Sequence, residues 1–319
     1  MHITIFGIGR SGTKAVQIYI SYALAARNQK VWIHYEPYFW LDRKTEKICY
    51  EGYYHHFNSP HFIPAESKLS PAHRRYLLNL KKHRVDMVTK FIRGNGRIRA
   101  INSVLKPDLS IVIVRDIYEV LISIMKIEWD FWSVGMDYVQ NWTKLIDEIR
   151  NINLVDNLDW YLDRIRDRID KNAFYWYVMN KYALLHSDKS VIYLTYKNLK
   201  NIEALTRMLI NPDFNESIGD PKFSGDNMHL DYPLKSPDSS FSLTNAVNGF
   251  FHKMNLTPKL KMNLPTQDVG SLAEINKEFR IIEKKARGST KLDIEKKEIY
   301  EMFNSEINAL LAEKEWKPE

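Results

Sequence analysis

Arg10 and Lys14 stand inside and just behind a turn that carries Gly7, Gly9 and Gly12. Glycines let a backbone wrap closely round a ligand, and the free N–H groups at a helix start add positive potential to that of the two cations. The chemistry such a turn offers is anion binding, and its simplest guest is a phosphate. Three other groups of residues bear on the same chemistry. His34 and Glu36 could take a proton, Lys90 and Arg93 could stabilise negative charge, and Arg115 with Ser123 could grip a second phosphate from two sides.

These residues are placed by a recurring pattern. His2-Ile3-Thr4-Ile5-Phe6 reads as a strand that breaks into the glycine turn, and a helical pattern runs from Lys14 to about Asn28 with Ala15, Val16, Tyr19, Tyr22 and Ala23 on one face. Lys30–Tyr35 reads as a second strand that stops at Glu36-Pro37, so His34 and Glu36 lie near its carboxyl end, on one face if the strand stays regular. Val85–Ile92 is a third, followed by a short helix to Lys106, and Leu109–Val114 is a near-continuous apolar run of the buried parallel type. That run leads into Arg115-Asp116 and a helix from Tyr118 to Lys126, which places Ser123 eight positions after Arg115. Residues 127–187 read as helical and aromatic, with Trp129, Phe131, Trp132, Trp142 and Trp176 among the rings, and Ser190–Tyr196 as a further strand. In open parallel sheets ligands bind at the carboxyl edge, where all the polar candidates fall.

The first turn nearly fits the nucleotide P-loop G-x-x-x-x-G-K-[ST], but Thr13 precedes Lys14. The exchange turns the lysine by about 100° round the helix and spoils both its phosphate contact and the Mg²⁺ contact of the hydroxyl. Gly-x-x-Arg-Ser-Gly-Thr at a strand-to-helix turn instead resembles the 5′-phosphosulfate loop of the sulfotransferase family, whose donor is 3′-phosphoadenosine 5′-phosphosulfate (PAPS). Arg115 and Ser123 resemble that family's 3′-phosphate segment, with Ile117 in place of the usual proline. Tyr196-Lys197-Asn198-Leu199 is similar to its Tyr-Glu-Asp-Leu landmark without the two acids, and Trp176 and Asn180 match on the preceding helix. The resemblance covers roughly residues 2–200. It implies an α/β fold, with a parallel central sheet flanked by helices in P-loop NTPase-like topology, and helical additions. It also implies that Gly9, Arg10, Ser11, Gly12, Thr13, Lys14, Arg115, Ser123 and Tyr196 bind the donor, Tyr196 near the adenine, and that no metal is required. The catalytic candidates are Arg10, Lys90 and a base. The family permits a glutamate or a histidine as base; Glu36 is preferred because His34 lies two residues deeper and reads as packed. Lys284-Lys285-Ala286-Arg287-Gly288 is comparable to the family's C-terminal basic-glycine loop, and a solvated helix end explains it equally well.

Two other readings stand beside this one. A P-loop kinase or NTPase would set Lys14 and Thr13 on the phosphates of Mg-ATP and use Asp116 as the acid ending a strand; a non-catalytic nucleotide-binding module would bind without turnover. The 319 residues read as one domain, with an aromatic- and histidine-rich insertion at about 38–75, a loop-like stretch at 211–240 and a helical C-terminal part from about 241. The net charge of +7 fits a polyanionic small molecule as well as nucleic acid, and since the basic residues are scattered no nucleic-acid partner is expected. The single cysteine, Cys49, excludes an intramolecular disulfide, and no cluster has zinc-finger spacing. No stretch reaches the about 18 apolar residues of a membrane span and no leader is seen, so the expectation is a soluble, cytoplasmic protein. The acceptor reads as a saccharide, a glycolipid or a phenolic compound; oligomeric state is not legible.

Overall fold

The computed structural model describes residues 1–25, 27, 31–38, 52, 55–81, 85–125, 138–199, 201–212, 228–231 and 297–318. Its centre is a parallel sheet built from β1 (His2–Gly7), β2 (Val31–Tyr35), β3 (Asp86–Phe91), β4 (Leu109–Val114), β5 (Val191–Thr195) and β6 (Met228–Asp231), in the order β5-β4-β1-β3-β2-β6. Helices α1 (Thr13–Ala25), α2 (Pro71–Leu80), α3 (Ile98–Leu105), α4 (Ile117–Met125), α5 (Tyr138–Asn151), α6 (Leu158–Leu162), α7 (Arg168–His186), α8 (Asn201–Leu209) and α9 (Glu298–Ala312), with 3₁₀ turns at Glu66–Lys68, Asn95–Arg97 and Tyr196–Asn198, complete the described elements. This is an α/β fold of P-loop NTPase-like topology, in which β1 is central and its two neighbours, β3 and β4, come later in the chain.

The pattern of two in the strands separates two cores. Ile3 and Ile5 of β1 and Ile111 and Ile113 of β4 face one side, with Val16, Tyr19 and Ile20 of α1 and Ile202 and Leu205 of α8 packed on them. Phe6 and Val112 and Val114 face the other, under α3, α4, α7 and α9. Because both faces of β4 are covered, it reads as a near-continuous hydrophobic run, and its one polar residue, Ser110, is bonded to Thr4 and Asn102.

Three stretches depart from the sequence expectations. Within 211–240, expected to be loop, Met228–Asp231 forms β6 and pairs with β2 from Val31↔Met228 to His34↔Asp231. Met228-His229-Leu230-Asp231 does alternate apolar and polar residues, but four residues inside a proline- and glycine-punctuated stretch are too short a run to read as a strand, and the neighbouring edge supplies the pairing. The helical expectation for 127–187 breaks between α5 and α7, where Asn153 and Asn157 take left-handed φ values of 48° and 53°. The insertion contains α2, started by Pro71 and by Ser70 Oγ, which accepts from His73 N at 3.2 Å. The helical C-terminal part expected from about 241 lies outside the described residues as far as 296, as do the 284–288 run within it, Cys49, and the rings of Trp129, Phe131 and Trp132. No described helix is long and apolar enough to cross a membrane.

The last helix is anchored by one buried carboxylate. Asp167 and Asp170 form a capping box at the start of α7, and Asp170 Oδ1 also accepts from Lys297 Nζ at 2.7 Å and Tyr300 OH at 2.5 Å. Burial pushes the Asp170 carboxyl up, but the bonds from Lys297, Tyr300 and the amides of Arg166 and Asp167 outweigh it and hold the group below its ordinary value. A depressed carboxylate contributes stability that is full above the ordinary value and lost as pH falls through the depressed one. Asp170→Ala is therefore expected to cost about 3 kcal/mol at neutral pH, and the gap between variant and wild type should shrink below about pH 4. Denaturant melts across that range check it; a variant with an unchanged midpoint at neutral pH would contradict the anchoring role.

Candidate functional site

The turn after β1 is tight at its first glycine. A Cβ on Gly7 would lie 2.6 Å from Thr13 Cγ2 and 2.9 Å from the Ile113 carbonyl, so no side chain fits between the strand and α1. Ser11 N donates to Ile8 O at 3.1 Å, Arg10 takes φ 71° and Gly12 φ 89°. A non-glycine residue in the left-handed region costs roughly 1 kcal/mol, and the surroundings must hold it there. Arg115 does part of that. Its Nη1 donates to the carbonyl of Arg10 at 2.9 Å, and its own carbonyl accepts from Trp176 Nε1 at 3.1 Å.

Around this turn the structure collects residues from distant parts of the chain. Arg10 Nε donates to Ser123 Oγ at 2.7 Å across from α4. The Arg115 guanidinium stands 4.1 Å from the centroid of the Tyr196 ring and pairs with Glu119 at 2.7 Å. The same ring backs Gly12, where an added Cβ would sit 2.7 Å from two of its carbons. Ser11 is buried, and its Oγ has no hydrogen-bond partner. A buried hydroxyl without a partner costs free energy, and a ligand oxygen at the turn would satisfy it. Thr13 is buried against Gly7, while Lys14 is half-buried on the first turn of α1.

The second group lies one and two strands away. Lys90 is the penultimate residue of β3, in register with Ile5 of β1 and Tyr35 of β2. It is 1% exposed, and its Nζ meets Glu36 Oε1 at 2.5 Å. Burial pushes the Lys90 ammonium down to about 8; the Glu36 carboxylate works against that shift, and the charge of Lys14 adds to it. Glu36 is not a continuation of β2, because regular strand geometry stops at Tyr35 and Glu36 takes φ 54°. Its backbone is held from the insertion. Tyr76 OH on α2 donates to Pro37 O at 2.7 Å, and Gly52 approaches so closely that a Cβ would fall 1.7 Å from that carbonyl.

His34 is placed differently. It is buried in β2, with Nε2 2.7 Å from the Leu80 carbonyl at the end of α2. Arg93 is also buried, directed at the Tyr38 carbonyl at 3.5 Å. The described rings of the insertion pack inward: Tyr38 OH bonds His73 Nε2 at 2.6 Å, and Arg97 is clamped to His56 and to the carbonyls of Pro60 and Ser59. Burial is the main cause that holds His56 well below its ordinary value and brings His73 down to about 3. These imidazoles are neutral packing groups near neutral pH. Gly52 and Tyr76, which hold the Glu36 segment, were not foreseen from sequence; a glycine and a tyrosine in an aromatic stretch carry no signal of that task.

The arrangement thus offers an anion cradle with cations on two sides and, beside it, a carboxylate in contact with a buried ammonium. Among the described residues no group of three or more His, Cys, Asp or Glu side chains could hold a metal ion. No protein-family model matches the chain, and no curated protein matches it. Among solved structures it is similar to a sulfotransferase from Alicyclobacillus acidocaldarius, at 12% identity, over 78% of this chain and 95% of that one, with a TM-score of 0.34. A likeness that slight carries no argument about function.

The Lys90–Glu36 contact generates a prediction independent of any ligand. Removing the carboxylate charge in Glu36→Gln leaves the buried ammonium without the group that supports it, so Lys90 should titrate at least about one unit lower than in the wild type. A ¹³Cε NMR titration of Lys90 in the two proteins measures this, and superimposable curves would contradict the pairing.

Proposed function

We propose that the protein transfers a sulfuryl group from PAPS to a hydroxyl or amine of a small-molecule or glycan acceptor, releasing 3′-phosphoadenosine 5′-phosphate (PAP). The observation that carries the reading is the meeting of Arg10–Gly12, Arg115, Ser123 and Tyr196, three separate landmarks of the sulfotransferase resemblance, in one constellation. The residues also fit a nucleotide with two separate anionic groups on their own chemistry. The turn has an unpartnered Ser11 hydroxyl, a helix N-terminus behind it and Lys14 on the first turn, all suited to the 5′-phosphosulfate. Arg115 and Ser123 suit the 3′-phosphate, with Tyr196 beside them.

In this reading PAPS supplies the sulfuryl group, and the protein supplies position and charge. Arg10 and Lys14 stabilise negative charge on the transferring group. Glu36 accepts the proton lost by the acceptor hydroxyl or amine, and Lys90, in contact with it, fixes the carboxylate and adds positive charge. Holding donor and acceptor in line provides the rest of the rate. His34 acts through the packing of β2 on α2. The reading takes the chain as one domain and requires no metal.

The Mg-nucleotide alternative needs Asp116 as a metal-binding acid. Asp116 Oδ1 accepts from the amides of Tyr118 at 2.9 Å and Glu119 at 3.3 Å, and Oδ2 accepts from Asn304 at 2.9 Å, so the carboxylate is engaged in starting α4 and joining it to α9.

The test is transfer of labelled sulfur from PAPS to a panel of saccharide, glycolipid and phenolic acceptors, with a chelator present. Transfer should persist without free divalent metal. Arg10→Ala should lower turnover by about 10²–10³, the cost of one charge stabiliser. Glu36→Gln should lower kcat by about 10²–10⁴ with donor affinity retained. Transfer that needs Mg²⁺ and ATP, or an Arg10→Ala enzyme with full turnover at saturating donor, would contradict the assignment.

A further inference from the structure

The segment after α9 returns to the sheet. Glu315 N donates to Leu311 O at 2.7 Å, Trp316 N donates to Tyr193 O at 2.9 Å, and Glu315 forms a parallel bridge with Tyr193. The segment therefore lies along β5, the end strand of the sheet on that side, and covers part of its open edge. Lys314 fastens it further by donating to the Leu184 carbonyl.

This path carries the Glu315 side chain to the turn that follows β5. Its Oε1 accepts from Thr195 Oγ1 at 2.6 Å, from Asn198 Nδ2 at 3.0 Å and from Thr195 N at 3.3 Å. Thr195 Oγ1 in turn accepts from Asn198 N at 3.3 Å, which closes the 3₁₀ turn Tyr196–Asn198. Tyr196 thus sits between two residues held by the same carboxylate oxygen. Its ring backs Gly12 and faces the Arg115 guanidinium.

We propose that Glu315 is a positioning residue of the nucleotide site: it fixes the turn that aims Tyr196, and through Tyr196 it sets Gly12 and Arg115. The inference rests on the assignment of Arg115, Ser123 and Tyr196 to PAP. It also explains a departure in the sequence. The resemblance puts two acids after the tyrosine, and this chain has Lys197 and Asn198 there. With a carboxylate arriving from the far end of the chain, position 198 must be a donor, since a second carboxylate against Glu315 Oε1 would repel it.

The experiment exchanges the two groups. Asn198→Asp, which restores the family's acid, should raise the PAP dissociation constant about tenfold by calorimetry, the effect of losing one such bond in a partly buried turn. Asn198→Asp combined with Glu315→Gln puts the amide on the other side and should return the constant to within about threefold of wild type. Hydrogen exchange without ligand over residues 8–13 and 195–199 should rise in the single variant and fall back in the double. A folded single variant that binds PAP like wild type, or a double variant no better than the single, overturns the proposal. Should the single variant fail to fold, Glu315→Ala is read by the same criteria. If the wild type itself takes no PAP, the functional reading fails; the exchange data then decide the positioning role, with unchanged protection in the single variant overturning it.

Discussion

The bond from Arg115 to the carbonyl of Arg10 ties together the ends of two neighbouring strands, β4 and β1, at the place where the chain must turn most sharply. The anion cradle of the candidate site depends on that turn. It requires a left-handed arginine and a glycine with φ 89°, and it leaves the Ser11 hydroxyl buried and unpartnered. None of this is stable by itself. Arg115 grips the carbonyl, Tyr196 closes over Gly12, and Thr13 packs on Gly7, so the strain is carried by three elements that the topology brings to one edge.

The electrostatics follow from the same placement. Lys90 occupies a strand position buried on both sides, where an ammonium is costly, and the carboxylate of Glu36 offsets part of that cost. Glu36 can reach it because β2 ends one residue earlier and the insertion pins Pro37 from α2. The pair is held from both sides, Lys90 by the ladder of β3 and Glu36 by the pinned segment after β2. The aromatic and histidine-rich insertion therefore has a structural task, and its described rings turn inward onto α2 and β3.

The central part of the fold was legible in the sequence because its signals are local. Glycines before a helix, a near-continuous apolar run in β4, and a proline after β2 each reflect a constraint within a few residues. Arg10, Arg115 and Tyr196 likewise fall within three residues of a strand end, and Ser123 on the second turn of α4. What was not legible depends on distant partners. β6 alternates but is only four residues long and is fixed by pairing with β2; the turn at Asn153–Asn157 is the exception, a local signal of Asn151, Asn153, Asp156 and Asn157 that the helical reading passed over. The Lys90–Glu36 contact needs the strand order, and the Glu315 contacts join residues 117 and 120 positions apart. No spacing rule in the sequence reaches that far.

The central claim is that the site recognises a nucleotide by two phosphate positions, one at the β1–α1 turn and one at Arg115 and Ser123. Calorimetric titration of the wild-type protein with PAP in a chelator, against ADP with Mg²⁺, tests it most directly, because ADP lacks the 3′-phosphate. The account predicts that PAP binds without metal and at least about tenfold more tightly than Mg-ADP, as expected for an added charge-assisted contact. Equal affinity for the two nucleotides, or a preference for ADP that requires Mg²⁺, would contradict it.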